Sequence, residues 1–120
     1  MADRFVVNLT RAKEDADRAT VAFVVANAAV ASDKETAVFL SIEGVRLSQR
    51  GYADDVHVDG FAPLAELISR YMEAGGRILA CASCFKKHGL DEGQLIDGAS
   101  VVSSAALVEF MSGGVSSVSY

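Results

Sequence analysis

The stretch Arg77–Leu90, RILACASCFKKHGL, decides how this chain is read. It opens on an apolar run, Ile78, Leu79 and Ala80, and then reaches Cys81 and Cys84, the only two cysteines. Lys86, Lys87 and His88 follow, and Gly89 closes the segment. A short apolar run that stops at a reactive polar residue has the form of a buried parallel strand delivering a side chain to its carboxyl end. Ligands of open α/β sheets bind outside that end. A helix beginning just after Cys81 would offer free N–H groups that favour a thiolate. Lys86, Lys87 and His88 would add positive potential if they fold back over it.

Working outward, Pro63 suits the first turn of a helix. Leu64, Leu67, Ile68, Tyr71 and Met72 keep the spacing of an amphipathic helix, and Gly75-Gly76 ends it. Upstream, Phe5–Leu9 and Ala37–Ile42 read as nearly continuous apolar strands, with Lys13–Ser32 as the helix between them. The 18 residues Glu43–Gly60 read as an irregular segment in which Val45 and Leu47 anchor a helical turn; loops of that length are often functional. Downstream, Leu90–Ile96 reads as a short helix and Ala99–Val102 as a strand. Ser103 or Ser104 then caps a helix carrying Leu107, Val108, Phe110 and Met111, and Val115–Tyr120 reads as a last edge strand. Strands alternating with helices predict one α/β domain over residues 1–120, a three-layer α/β/α fold with a mostly parallel five-stranded sheet.

Composition narrows the function. Sixteen acidic residues against eleven basic give a net charge of −5, which argues against general binding to nucleic acid or to an anionic membrane. Two cysteines do not make a secreted disulfide scaffold. The amino-terminal apolar run of five residues is no signal peptide, so a cytoplasmic location with reduced thiols is expected. The run Ala19–Ala31 is too short to span a bilayer. Because it is apolar around the whole helix, a second buried side is expected, against another subunit or beneath a covering loop.

The Cys-x-x-Cys spacing leaves four readings open. A thioredoxin-like dithiol would need a later proline facing it, but Pro63 is the only proline and comes earlier. A structural zinc site would have to recruit both histidines, His57 and His88. Buried packing thiols are a third reading. The fourth is one nucleophilic thiol that carries sulfur as a persulfide. Asn8, Thr10 and Arg11 after the first strand, and Glu43 and Arg46 after the second, would line the same sheet edge. With Lys86, Lys87 and His88 they make up a possible pocket. No phosphate-binding glycine loop is present, and no cofactor is expected.

The chain resembles the DsrE/DsrF-like family of sulfur-relay proteins. The likeness is clearest from Val45-Arg46-Leu47 through Gly75-Gly76-Arg77-Ile78 to Cys81 and Gly89-Leu90, and continues over Leu95-Ile96-Asp97-Gly98. In that family an active cysteine ends a core strand eight residues before a glycine, as Cys81 stands before Gly89. The resemblance implies Cys81 as the active thiol, with Cys84 secondary because the core sulfur carriers do not share it. It also implies a strand order 4-3-2-1-5, sulfur donor and acceptor proteins as partners, and a homo-oligomer, trimer or hexamer. The expected function is a sulfurtransferase-like carrier of sulfane sulfur. The alternatives are a non-catalytic small-ligand-binding or assembly module, or a Cys-x-x-Cys thiol redox protein.

Overall fold

The computed structural model describes residues 3–120. Five strands form one sheet: β1 Arg4–Leu9, β2 Glu35–Leu40, β3 Arg77–Cys81, β4 Ala99–Val102 and β5 Ser116–Ser119. Their order is β4-β3-β2-β1-β5, and all four pairings are parallel. The helices are α1 Ala16–Ala31, α2 Leu64–Glu73, α3 Ala82–Lys87 and α4 Ser104–Phe110. Short 3-10 turns cover Lys13–Asp15, Ile42–Ser48 and Glu92–Gln94. The α/β class and the strand order are as expected, and the sheet is wholly rather than mostly parallel.

Alternate residues of the strands feed opposite layers. Val7, Leu9, Val38, Leu40 and Ile78 pack with Ala22, Phe23 and Ala26 of α1 and with Leu64, Leu67, Ile68 and Tyr71 of α2. Val6 and Ala37, with Leu79, pack instead with Leu107, Phe110 and Met111 around α4. A third cluster at the carboxyl end joins Val45, Ala80 and Phe85 to Cys84, Leu90, Leu95 and Val101. It is the base on which the cysteine segment rests. Among the described residues no helix is long and apolar enough to cross a membrane.

Several expectations need correction. The second side of α1 packs on α2, while Val21, Val24 and Val25 stay half-buried and Ala28 and Ala31 are exposed. The side chain of Asn27, the polar interruption in the apolar run, donates to the carbonyls of Phe23 (2.8 Å) and Leu67 (3.0 Å) and so fastens α1 to α2. Phe23 meets Tyr71 edge to face, ring centroids 5.8 Å apart. Residues 13–15 form a 3-10 turn and the α-helix starts at Ala16, where the Asp15 carboxylate accepts the Arg18 N–H. β2 stops at Leu40. Ile42, which reads as strand, has φ 56° and is 57% exposed. Leu90–Ile96 is not a helix: beyond the turn Glu92–Gln94, Leu95 pairs antiparallel with Gln49, and the Ile96 N–H bonds the Ser48 carbonyl. Val108 of α4 points to solvent.

Tyr71 closes the α2 layer. Its hydroxyl lies 2.6 Å from the Arg77 carbonyl and 3.1 Å from that of Thr36, tying α2 to the starts of β3 and β2. Burial pushes the phenol far above its ordinary value, which keeps it a donor. Gly76 makes room for the ring, since a Cβ there would sit 2.2 Å from Tyr71 Cε1. Gly76→Ala is therefore expected to destabilise the fold by about 1–3 kcal/mol, the range for overpacking a filled core. Urea unfolding with an unchanged slope is the measurement.

Candidate functional site

β3 carries the apolar residues Ile78 and Ala80 into the core and ends at Cys81, which is 7% exposed. Cys81 is also the residue that precedes α3, so the chain passes from strand to helix at the thiol. Cys84 is the third residue of α3 and is half-buried. Both cysteines are free thiols. No formal capping bond forms at Cys81. The open amides of α3 still act on its sulfur. Burial pushes the Cys81 thiol up, but the Cys84 amide and thiol together with the Ser83 amide and hydroxyl outweigh it and leave Cys81 below the ordinary thiol range. Cys84 shifts the other way. Burial and the neighbouring Cys81 sulfur push it up, against smaller opposing effects from the Ile42 N–H and from Lys87.

The turn Ile42–Ser48 is the second wall. Its entry is fixed by backbone bonds: the Ser41 N–H reaches the Leu9 carbonyl at 3.1 Å, and the Gly44 N–H reaches those of Thr10 at 3.1 Å and Ser41 at 2.9 Å. Ile42 then directs its N–H to the Cys84 sulfur at 3.2 Å. One turn further, Arg46 Nε donates to Glu43 Oε1 at 3.0 Å, and its Nη2 meets His88 Nδ1 at 3.2 Å. His88 Nε2 lies 3.5 Å from Glu43 Oε2. A guanidinium only donates, so His88 Nδ1 accepts and the proton sits on Nε2, facing Glu43. The three side chains form a closed ring that joins this turn to the carboxyl end of α3.

The proposed pocket thus divides. Glu43, Arg46 and His88 come together, and His88 bonds the Cys84 carbonyl through its backbone N–H. Asn8, Thr10 and Arg11 do not join them. Asn8 bonds Ser119 at 3.4 Å, the Thr10 hydroxyl donates to the Tyr120 carbonyl at 2.9 Å, and Arg11 pairs with Glu14 at 3.6 Å. β2 separates their strand from β3, a gap of roughly 10 Å at the usual strand spacing. Lys86 and Lys87 are exposed. His57 is also exposed and bonds the Phe61 carbonyl at 2.8 Å within its own loop. Among the described residues no group of three His, Cys, Asp or Glu is placed to hold a metal. Two residues of the site escaped sequence reasoning: Ile42, disguised as the end of a strand, and Ser83, a small polar residue between two cysteines.

A cleft of about 430 Å³ lies apart from the thiols, lined by Leu47, Gln49, Ala65, Ile68, Met72 and Ile96 among others. It contains neither cysteine.

The sequence model of the DsrE/DsrF-like family matches residues 3–119. The chain belongs to the DsrE/DsrF-like family. An uncharacterized protein of Methanopyrus kandleri is 29% identical over 109 residues, covering 91% of this chain and 87% of that protein. An uncharacterized protein of Methanocaldococcus jannaschii is 24% identical over 108 residues, covering 90% of this chain; the chain spans only 39% of that relative's length. Among solved structures, the E. coli ychN protein superposes with a TM-score of 0.82 at 15% identity, covering 98% of this chain and 99% of that one. A protein of unknown function from Methanobacterium thermoautotrophicum superposes with a TM-score of 0.71 at 19% identity, with the same coverage. At such identities these two likenesses establish the fold alone.

Within this DsrE/DsrF-like site the lowered thiol makes a kinetic prediction. Alkylation follows the thiolate, so its rate at Cys81 should level off at a lower pH than for an ordinary thiol of about 8.5. Cys84→Ala should move that midpoint upward, because the thiol proton it removes helps hold the Cys81 thiolate. Iodoacetamide labelling across pH, read by mass at each cysteine, checks both.

Proposed function

We propose that the chain is a cytoplasmic, sulfurtransferase-like sulfur carrier that holds sulfane sulfur as a persulfide on Cys81. The observation that carries this reading is a strand-end thiol held below its ordinary range by the amides and side chains of Ser83 and Cys84. In loading, the Cys81 thiolate attacks the terminal sulfur of a donor persulfide. A new S–S bond forms, the donor's breaks, and the donor leaves as a thiolate. In delivery, an acceptor thiolate attacks the same sulfur and Cys81 departs as the thiolate; a lowered leaving-group pKa speeds that step. The slight exposure of Cys81 suits the carrier role, because the S–S bond sets the transferable sulfur about 2 Å beyond Cys81 Sγ. Neither step needs a metal or an organic cofactor.

Partners follow from the chemistry: a persulfide-bearing donor protein and a thiol-bearing acceptor protein, with no nucleic acid or membrane. Lys86 and Lys87, exposed at the end of α3, are placed to meet an acidic partner. Cys81→Ser should abolish sulfur loading and keep the fold, whereas Cys84→Ser should still load. Intact mass after brief exposure to a persulfide donor tests this, and loading that survives in Cys81→Ser would sink the assignment.

The same reading includes a homo-oligomer, a trimer or a hexamer. Its physical support is α4, where Val108 is 67% exposed with Leu107 and Met111 half-buried beside it. Light scattering on a sizing column should give a mass several times that of the chain. A mass near 12.6 kDa at micromolar concentration would end the oligomer reading.

A further inference from the structure

We propose that Cys84 is a resolving thiol: when no acceptor takes the sulfur from a Cys81 persulfide, Cys84 displaces it as hydrosulfide and the two cysteines close as a disulfide. This rests on the persulfide reading of Cys81 and adds a second fate for the bound sulfur.

Three features carry it. Cys81 is the residue before α3 and Cys84 is the third residue within it, one helical turn apart. A turn rises about 5.4 Å, inside the roughly 4.4–6.8 Å between Cα atoms that a disulfide spans. The Cys84 side chain is half-buried and packs against the cluster of Val45, Ala80 and Phe85. The Ile42 N–H, 3.2 Å from the Cys84 sulfur, is placed to stabilise negative charge there. Ile42 is held at φ 56°, which a β-branched residue adopts only under strain. That conformation aims its N–H at the thiol.

The step balances without any outside oxidant. At the start Cys84 holds its proton and the persulfide is Cys81–S–S⁻. The Cys84 proton passes to the terminal sulfur. The Cys84 thiolate then attacks Cys81 Sγ; the Cys81–Cys84 bond forms, the persulfide S–S bond breaks, and hydrosulfide leaves with that proton. The sulfane sulfur is reduced and the two thiols are oxidised. A dithiol reductant restores the pair by thiol–disulfide exchange.

The test loads the wild-type chain and Cys84→Ser with a small organic persulfide, removes the donor on a desalting column, and follows free sulfide and alkylated intact mass with time. The wild-type chain should release sulfide and end two hydrogens lighter than the reduced protein. Cys84→Ser should hold one extra sulfur and release none. The wild-type readout stands even if the variant folds poorly. A wild-type chain that keeps its sulfur on Cys81 as long as Cys84→Ser does overturns the resolving role and leaves the carrier reading intact, whereas sulfur found on Cys84 overturns both. If Cys84→Ser instead bears the donor's organic half as a mixed disulfide, or neither chain takes up sulfur, both readings fall.

Discussion

The site depends on one close approach of backbone to backbone. Gly44 lies against the end of β1, where a Cβ would sit 2.2 Å from the Leu9 carbonyl oxygen and 3.4 Å from that of Arg11. Backbone oxygens cannot move aside as a flexible side chain can, so only glycine fits. Because the Ile42–Ser48 turn is pinned there, Ile42 faces Cys84 and the Glu43–Arg46 pair faces His88. Each of those side-chain contacts is modest alone. Glu43 and Arg46 are about one-third exposed, and pairs of that kind contribute roughly 0–1 kcal/mol. Their value is positional: α3 is held at its middle, through Cys84, and at its carboxyl end, through His88, by one turn whose own place is fixed by packing.

The two thiols show how little structure is needed to separate the roles of like groups. They are one helical turn apart and share the carboxyl end of one sheet, yet their acidities move in opposite directions. Burial acts the same way on both. What differs is the donors each sulfur meets. Cys81 sits where the unpaired amides of α3 converge, together with the Ser83 hydroxyl and the Cys84 thiol. Cys84 has the Ile42 amide, but the neighbouring Cys81 sulfur raises it. A negative sulfur on Cys81 would thus add to burial in favouring the protonated form of Cys84. Such an arrangement makes the two thiols unequal in acidity.

The sheet was legible because its central strands are buried on both faces and read as apolar runs, and because α2 has a clean amphipathic spacing. The helices of α/β folds can also hide from periodicity. α1 is apolar around its circumference, which signals two buried sides without saying what covers the second. The answer turned on Asn27, whose amide bonds across to α2. At the site, Cys81 was legible from its place at the end of an apolar run, and Glu43, Arg46 and His88 from lying after neighbouring strands. Asn8, Thr10 and Arg11 do lie at the same carboxyl edge, after β1, but their side chains bond Ser119, Tyr120 and Glu14, partners that the sequence does not reveal. Ile42 was unreadable in principle. A β-branched residue after an apolar run continues a strand by every local rule, and only the tertiary fixing of Gly44 turns it to positive φ.

The layers of the sheet are unequal, and the inequality bears on where another molecule can approach. α1 and α2 pack on one face, and α3 continues that layer over Ala80 and Val101. α4 alone occupies the other. Seven residues of helix run only about 10 Å, while five strands spread over roughly 19 Å. The part of that face beyond α4 is not apolar throughout. Ser100 is in register with Leu79, and Ser117 and Ser119 are in register with Val6 and Asn8, so all three serines fall on the α4 side. All three are exposed. Serine at the flanks suits contact with water, which narrows any apolar contact on this face to the centre around Leu107, Val108 and Met111. An assembly built on this side would be centred on α4. It would leave the carboxyl edge of the sheet, which carries Cys81 and the exposed Ile42, open to another molecule.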